Sequence, residues 1–205
     1  FAGEVAEIKG EVPGLKIGDR VCTTAIGGNA EYLKIPVATV PMVLPIHDGI
    51  SFEEAATIEP LATSLHAVNL ADPQKGEIHV IIGAGIIGLG ILQVLKAAAF
   101  VRTIVCDVSE VRLDLAEKLG ADLTINASKE DSVKKIMELT GKEHVMFVSS
   151  DSGQIDTVYD SAGLSANYTG TPVLQQALTM TRPNGKVIAL GLFEKLAEVD
   201  HNQLV

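Results

Sequence analysis

One glycine-rich hexapeptide has the spacing of a phosphate-binding turn. Residues Gly83-Ala-Gly-Ile-Ile-Gly88 match the pattern G-x-G-x-x-G, follow the β-branched run Ile78–Ile82 and open a helical pattern. That context of strand, turn and helix strengthens a motif that is weak alone. Gly83 would allow the tight turn, Gly85 would leave room for a pyrophosphate, and Gly88 would let the helix pack on the strand. The amides and dipole at the helix start would then hold phosphates.

An acidic residue completes this pattern. Asp107 directly follows the predicted strand Thr103–Cys106, nineteen residues after Gly88. A carboxylate there accepts hydrogen bonds from both ribose hydroxyls and repels a 2′-phosphate, which predicts NAD rather than NADP as the ligand. Arg112 would stack on the adenine, or would accommodate a 2′-phosphate. The alternative is a structural glycine turn with a surface Asp and Arg.

The rest of the chain after residue 50 alternates between helices and strands. We predict strands at 78–82, 103–106, 123–125, 157–159 and 186–190, and helices from Ile87, at 111–119, at 132–139 and at 173–181. This alternation is typical of an α/β fold with a doubly wound parallel (Rossmann) sheet. The last strand, Lys186–Leu190, is where an exposed sheet edge is expected.

The first fifty residues have a different pattern. Glycines and prolines break them into short segments, among them the predicted strands Arg20–Thr24 and Ala30–Ile35. Ser51, with Glu54 three residues on, predicts a capping box that opens a helix. We therefore divide the chain into a partial β domain over 1–50 and a dinucleotide-binding domain over 51–205.

Composition excludes several classes of protein. Hydrophobic residues make up 47% and charged residues 20% of the 205 residues, which excludes a disordered chain. The net charge of −10 argues against nucleic-acid binding. Cys22 and Cys106 lie far apart without a CxxC motif, so neither a disulfide framework nor a zinc ribbon is expected. The apolar run Val80–Val101 is interpreted as a strand, turn and helix rather than a membrane span. No basic region opens the chain, and we expect a cytoplasmic protein.

Several separated segments closely resemble the medium-chain dehydrogenase/reductase superfamily, in particular its zinc-containing polyol and threonine dehydrogenase branch. They are Gly14–Val21, Ala55–Ala67, Gly83–Gly88, Asp107–Asp122 and Pro183–Leu192. The resemblance covers nearly the whole chain. It implies part of a GroES-like β domain, which is the catalytic domain of the family, followed by a Rossmann domain.

The resemblance also implies a set of site residues. Those implied to bind the adenosine and pyrophosphate of NAD are Gly83, Gly85, Ile86, Ile87, Gly88, Asp107 and Arg112. Those implied to lie along the nicotinamide end are Ser161, Ala162, Gly163, Leu190, Gly191 and Leu192. Strand ends are where an open α/β sheet binds its ligand, although the residues alone also fit ordinary strand-to-helix turns.

The metal site of the family is matched only in part. In the family, the segment resembling Phe1–Val5 follows a Gly-His-Glu motif at the catalytic zinc, and this sequence contains neither that motif, the upstream cysteine ligand nor the four-cysteine lobe. Glu59 is the one zinc-associated residue present, as a ligand or through a zinc-bound water, and is the predicted catalytic and metal residue. His66 lies seven residues away, about 10 Å along a helix, too far to share one ion with Glu59. We interpret the chain as incomplete at both ends.

These features together predict a zinc-type NAD-dependent alcohol or polyol dehydrogenase, with zinc bound in the complete protein. The implied partners are a small alcohol or polyol substrate and further copies of the chain in a dimer or tetramer, with neither nucleic acid nor membrane. One alternative is a zinc-free quinone or enoyl reductase of the same superfamily, but such proteins prefer NADP and lack the Glu-Pro-Leu motif at Glu59. Another is a regulatory module that binds NAD(H) without chemistry.

Overall fold

Short strands separated by turns form the first part of the chain. In the computed structural model, which describes residues 1–98, 101–144 and 151–204, β1 (Ala2–Glu4), β2 (Arg20–Cys22) and β3 (Leu44–Pro45) form an antiparallel sheet in that order. A 3-10 helix covers Val37–Met42. The predicted strand at Ala30–Ile35 is wrong, because these largely exposed residues pair with no segment that the structure describes.

The predicted capping box is present. The Ser51 hydroxyl accepts a hydrogen bond from the Glu54 amide at 3.1 Å, and the Glu54 carboxylate accepts one from the Ser51 amide at 2.8 Å. It begins the short helix α1 (Phe52–Ala55), and the longer α2 (Ile58–Ala71) follows. Contacts divide the chain into two compact units, Phe1–Ala62 and Thr63–Val205. The boundary at residue 50 stays a prediction.

The second unit contains one parallel sheet of five strands. After α2, its elements in chain order are β4 (Ile78–Ile82), α3 (Ile86–Ala98), β5 (Arg102–Asp107), α4 (Glu110–Lys118), β6 (Leu123–Asn126), α5 (Ser132–Thr140), β7 (Lys142–His144), β8 (Asp151–Gly153), β9 (Ile155–Asp160), α6 (Val173–Met180), β10 (Thr181–Ala189) and a 3-10 helix over His201–Leu204. The strand order is β10-β9-β4-β5-β6, so β10 lies at one edge, as expected. The antiparallel pair β7 and β8 was not predicted.

The sheet carries apolar residues on both faces, and helices cover each face. On one face Ile81, Val105 and Tyr159 pack with buried residues of α2, α3 and α4. On the other face Val80 and Val158 pack with buried residues of α5 and α6. Each fully buried Val or Ile contributes about 1.5–3 kcal/mol relative to an exposed one. The structure confirms the doubly wound α/β fold.

The long apolar run is not a single element. Its described part consists of the end of β4, the glycine turn, α3 and Val101. Among the helices that the structure describes, none is long and apolar enough to cross a membrane. The run is apolar because β4 and much of α3 are buried inside the second unit.

The strand order reverses beside β4. Strands β5 and β6 follow β4 on one side, whereas β9 and β10 lie on its other side. In open α/β sheets, ligands bind outside the carboxyl ends of the strands at such a switch point. The carboxyl ends of β4, β5, β9 and β10 are therefore the place to examine for a site.

Candidate dinucleotide site

The turn after β4 is tightly packed at two of its three glycines. Gly83 has φ +99°, a conformation that side chains rarely adopt, and a Cβ there would lie 3.0 Å from the Ala162 amide nitrogen. A Cβ on Gly88 would lie 1.8 Å from the Gly83 carbonyl oxygen. The Gly83 amide donates to the Cys106 carbonyl at 2.7 Å. These contacts hold the start of α3 against the strand ends.

The middle glycine is in a different environment. A Cβ built on Gly85 would lie more than 4 Å from every atom of the described residues, apart from its chain neighbours and the helix backbone. Gly85 directly precedes α3, and the amides in the first turn of a helix have no acceptor within the helix. The neighbouring Ile86 is 62% exposed, so the turn is accessible. An open space beside unpaired amides at a helix start fits a phosphate group.

Asp107 connects the end of β5 to this turn. One carboxylate oxygen accepts a hydrogen bond from the Ala84 amide at 2.6 Å, and the other accepts one from the Ser109 amide at 2.8 Å. The Arg112 guanidinium lies 3.8 Å from the first oxygen, and its side chain is 58% exposed. A carboxylate has about four acceptor positions, so Asp107 retains capacity for ribose hydroxyls. Sequence reasoning did not predict its bond to the turn.

The residues implied at the nicotinamide end form a second cluster. The Ser161 hydroxyl lies 2.9 Å from the Ile82 carbonyl and 2.8 Å from the Gly83 carbonyl, which brings the turn after β9 to the glycine turn. Leu190 and Gly191 continue from β10, and both amides donate to the Asp160 carbonyl. The structure therefore brings the predicted cofactor-binding residues together at the carboxyl ends of the strands. That they bind a cofactor stays a prediction.

Asp160 is a residue that sequence reasoning missed. It ends β9 and is fully buried, and its Oδ1 accepts hydrogen bonds from the Ala162 and Gly163 amides at 3.1 and 2.9 Å. Its Oδ2 has no hydrogen-bond partner among the described residues. Burial raises the pKa of this carboxyl, and the two amides oppose that shift. An acidic residue at the end of a buried strand was the available signal.

The predicted metal residue lies in the first unit. Glu59 is an exposed residue of the first turn of α2. Within residues 1–98, 101–144 and 151–204, no three His, Cys, Asp or Glu side chains are grouped so that they could hold a metal ion. The described donors therefore do not fit a zinc ion, and the role of Glu59 stays a prediction.

Comparison with known proteins identifies the family. The model of the zinc-binding dehydrogenases matches residues 87–205. This chain belongs to the zinc-binding dehydrogenase family, and the resemblance to the medium-chain dehydrogenase/reductase superfamily is confirmed.

The relatives include dehydrogenases of different small molecules. The chain is 29% identical to (R,R)-butanediol dehydrogenase of Bacillus subtilis, over 100% of this chain and 61% of the relative. It is 32% identical to L-threonine 3-dehydrogenase of Pyrococcus furiosus, with the same coverage of 100% and 61%.

A solved structure supports the fold. The crystal structure of 2R,3R-butanediol dehydrogenase from Bacillus subtilis superimposes with a TM-score of 0.71 at 27% identity. The match covers 100% of this chain and 60% of that one. The chain thus spans about three fifths of the length of the relatives that it matches.

Proposed function

We propose that this protein is an NAD(H)-dependent dehydrogenase of alcohols or polyols that binds the dinucleotide at the carboxyl ends of the strands of the five-stranded sheet. The observation that carries the proposal is the contrast among the three glycines. Two have no room for a Cβ, whereas Gly85 borders open space at the start of α3. Packing explains the first two, but a bound pyrophosphate explains the third.

The proposal assigns each part of the dinucleotide to named residues. The amides from Gly85 to Gly88 would bind the pyrophosphate, Asp107 the adenosine ribose, and Arg112 the adenine. The segments Ser161–Gly163 and Leu190–Leu192 would flank the nicotinamide. When bound, the nicotinamide ring accepts or donates the hydride of the reaction.

The position of Asp107 favours NAD(H) over NADP(H). Its side chain is 5% exposed, so its charge is poorly screened by water. Since both carboxylate oxygens are held by main-chain amides, the carboxylate is held in place beside the glycine turn. A 2′-phosphate on the ribose would bring two or nearly two negative charges next to it. Arg112 lies on the exposed side and offsets only part of that repulsion.

A fluorescence titration tests this assignment. We expect NADH to bind at least tenfold more tightly than NADPH. Asp107→Ser should narrow that ratio, because it removes the repulsion of the 2′-phosphate. Asp114→Ser is the matched control, since it removes one exposed carboxylate from α4 and leaves Asp107 in place. Equal affinities in the unaltered protein would overturn the role of Asp107, and binding of neither nucleotide would overturn the proposal.

The substrate class rests on similarity alone. The relatives named above act on a diol and on a hydroxy amino acid, and both carry a secondary alcohol. Incubation of the full-length natural protein with NAD and a panel of polyols, hydroxy amino acids and secondary alcohols, followed at the absorbance of NADH, tests it. Reduction of quinones with NADPH would instead favour the alternative of a zinc-free quinone or enoyl reductase.

A further inference from the structure

We infer that Asp160 is a positioning residue for the nicotinamide end of the site: it joins the turn after β9 to the segment after β10. This inference rests on the proposed function. It adds a residue that the family resemblance did not assign, and it is argued from the hydrogen bonds and packing around one buried side chain.

The Asp160 side chain sets the shape of the first segment. Its Oδ1 accepts hydrogen bonds from the Ala162 and Gly163 amides. These bonds hold Gly163 at φ +72°, in the left-handed region that favours glycine. Asp is suited to this role, because its short side chain accepts bonds from amides two or three residues further along.

The main chain of Asp160 holds the second segment. Its carbonyl accepts hydrogen bonds from the Leu190 and Gly191 amides at 2.8 and 2.9 Å. The Leu164 amide donates to the Leu192 carbonyl at 2.9 Å, which extends the contact between the two segments. One residue therefore receives hydrogen bonds from both segments.

The backbones of the two segments are in contact, which leaves little room for either segment to shift. A Cβ on Gly163 would lie 2.2 Å from the Leu192 carbonyl oxygen, and a Cβ on Gly191 would lie 2.0 Å from the Gly163 nitrogen. A small rotation of the first turn would therefore displace Leu192. Asp160 prevents that rotation.

Only one oxygen of this carboxyl has partners in the part of the chain that the structure describes. Asp160 is 0% exposed, and its Oδ2 is unpaired among the described residues. Burying a carboxyl with an unpaired oxygen costs free energy, and such groups concentrate at functional sites. Asp160 lies beside the segments predicted to flank the nicotinamide, where the backbone geometry would affect nicotinamide binding.

The experiment compares two ligands that differ only at the nicotinamide end. The variants are Asp160→Ala, which removes the acceptor, and Asp160→Asn, which retains an oxygen for the two amides. Binding of NADH and of ADP-ribose, which lacks the nicotinamide, is measured by calorimetry. We expect Asp160→Ala to weaken the binding of NADH at least tenfold and the binding of ADP-ribose less than twofold. Asp160→Asn should bind both ligands with affinities within about threefold of those of the unaltered protein.

A second variant keeps the test decisive if Asp160→Ala does not fold, as judged by circular dichroism. Gly163→Ala disturbs the same contact through its Cβ and should also weaken NADH selectively. An equal loss for both ligands, or no loss for either, would overturn the positioning role. If the unaltered protein binds neither NADH nor ADP-ribose, the proposed function is wrong. If the unaltered protein binds NADH and ADP-ribose with equal affinity, only the inference about Asp160 is wrong.

Discussion

The two ends of the five-stranded sheet both bury polar groups, but they satisfy them differently. At the amino end, His79 is fully buried, with Nδ1 3.2 Å from the Tyr159 hydroxyl and Nε2 3.0 Å from the Glu77 carboxylate. Nearby, Asp156 accepts hydrogen bonds from the Ile78 amide and from Arg182, both at 2.7 Å. These groups have partners within the chain.

The carboxyl end is incomplete by comparison. Gly85 borders open space, and the Oδ2 of Asp160 is unpaired among the described residues. A closed network at one end and an incomplete one at the other suggest two uses of buried polarity. The closed network stabilises the fold, whereas the incomplete one lies where we propose that the dinucleotide binds.

The largest expected effect is at Gly88. Gly88→Ala places a Cβ 1.8 Å from the Gly83 carbonyl, so the turn must shift. We expect the free energy of unfolding to fall by about 3 kcal/mol, near the top of the usual range for overpacking. Urea denaturation measures it. A loss below about 1 kcal/mol would mean that the turn is not tightly packed.

Tyr159→Phe tests the closed network. It leaves Nδ1 of buried His79 without its partner, which should cost about 2 kcal/mol of unfolding free energy. NADH affinity should not change, because the Tyr159 hydroxyl lies beside His79 at the amino end of β4, although the Tyr159 backbone lies near the carboxyl end of β9. Tyr32→Phe, at a side chain that is 81% exposed, is the control. Altered NADH affinity with normal stability would reverse the assignment of the two ends.

Gly85→Ala tests the open space. The added methyl meets no atom, so the free energy of unfolding should change by less than about 0.5 kcal/mol. NADH affinity should fall about tenfold, or about 1.4 kcal/mol, because the methyl occupies the space proposed for the pyrophosphate. Unchanged affinity would remove the main support for the proposed site.

The smallest effect is a pH dependence from His79. Burial lowers the pKa of His79, with the Lys186 charge acting in the same direction and the charges of Glu77 and Asp156 opposing it. Since the folded pKa lies below the ordinary value near 6.5, the stability due to neutral His79 is present above that value and lost as pH falls. We expect a loss of at most about 1.4 kcal/mol per pH unit.

Denaturation curves between pH 5 and 8 measure this effect, with pH values set on either side of about 6.5. His79→Gln should flatten the pH dependence, whereas His66→Gln, at an exposed residue of α2, should leave it unchanged. An equal effect of the two substitutions would show that another group controls the acid response.

Local patterns predicted most elements of the second unit. β4 matches its predicted bounds. The start of α3 and the end of β6 differ from the predicted bounds by one residue, and α4 and β5 differ by one residue at each end. The pattern failed in the exposed segment Ala30–Ile35, which lies between Gly28 and Pro36 but does not form a strand. β10 begins at Thr181 rather than Lys186, because its pairing with β9 extends past Pro183 through an irregular register.

The sequence by itself determined the glycine turn, the acidic residue that ends β5 and the order of the helices and of the parallel strands in the second unit, since each depends on neighbouring residues. Only the tertiary structure decided which polar groups meet. Tyr159 reaches His79 eighty residues away, and the Ser161 hydroxyl reaches the Gly83 carbonyl seventy-eight residues away. Such pairs depend on which strands become neighbours in the sheet, and strand order is set by packing of the whole unit rather than by any local spacing.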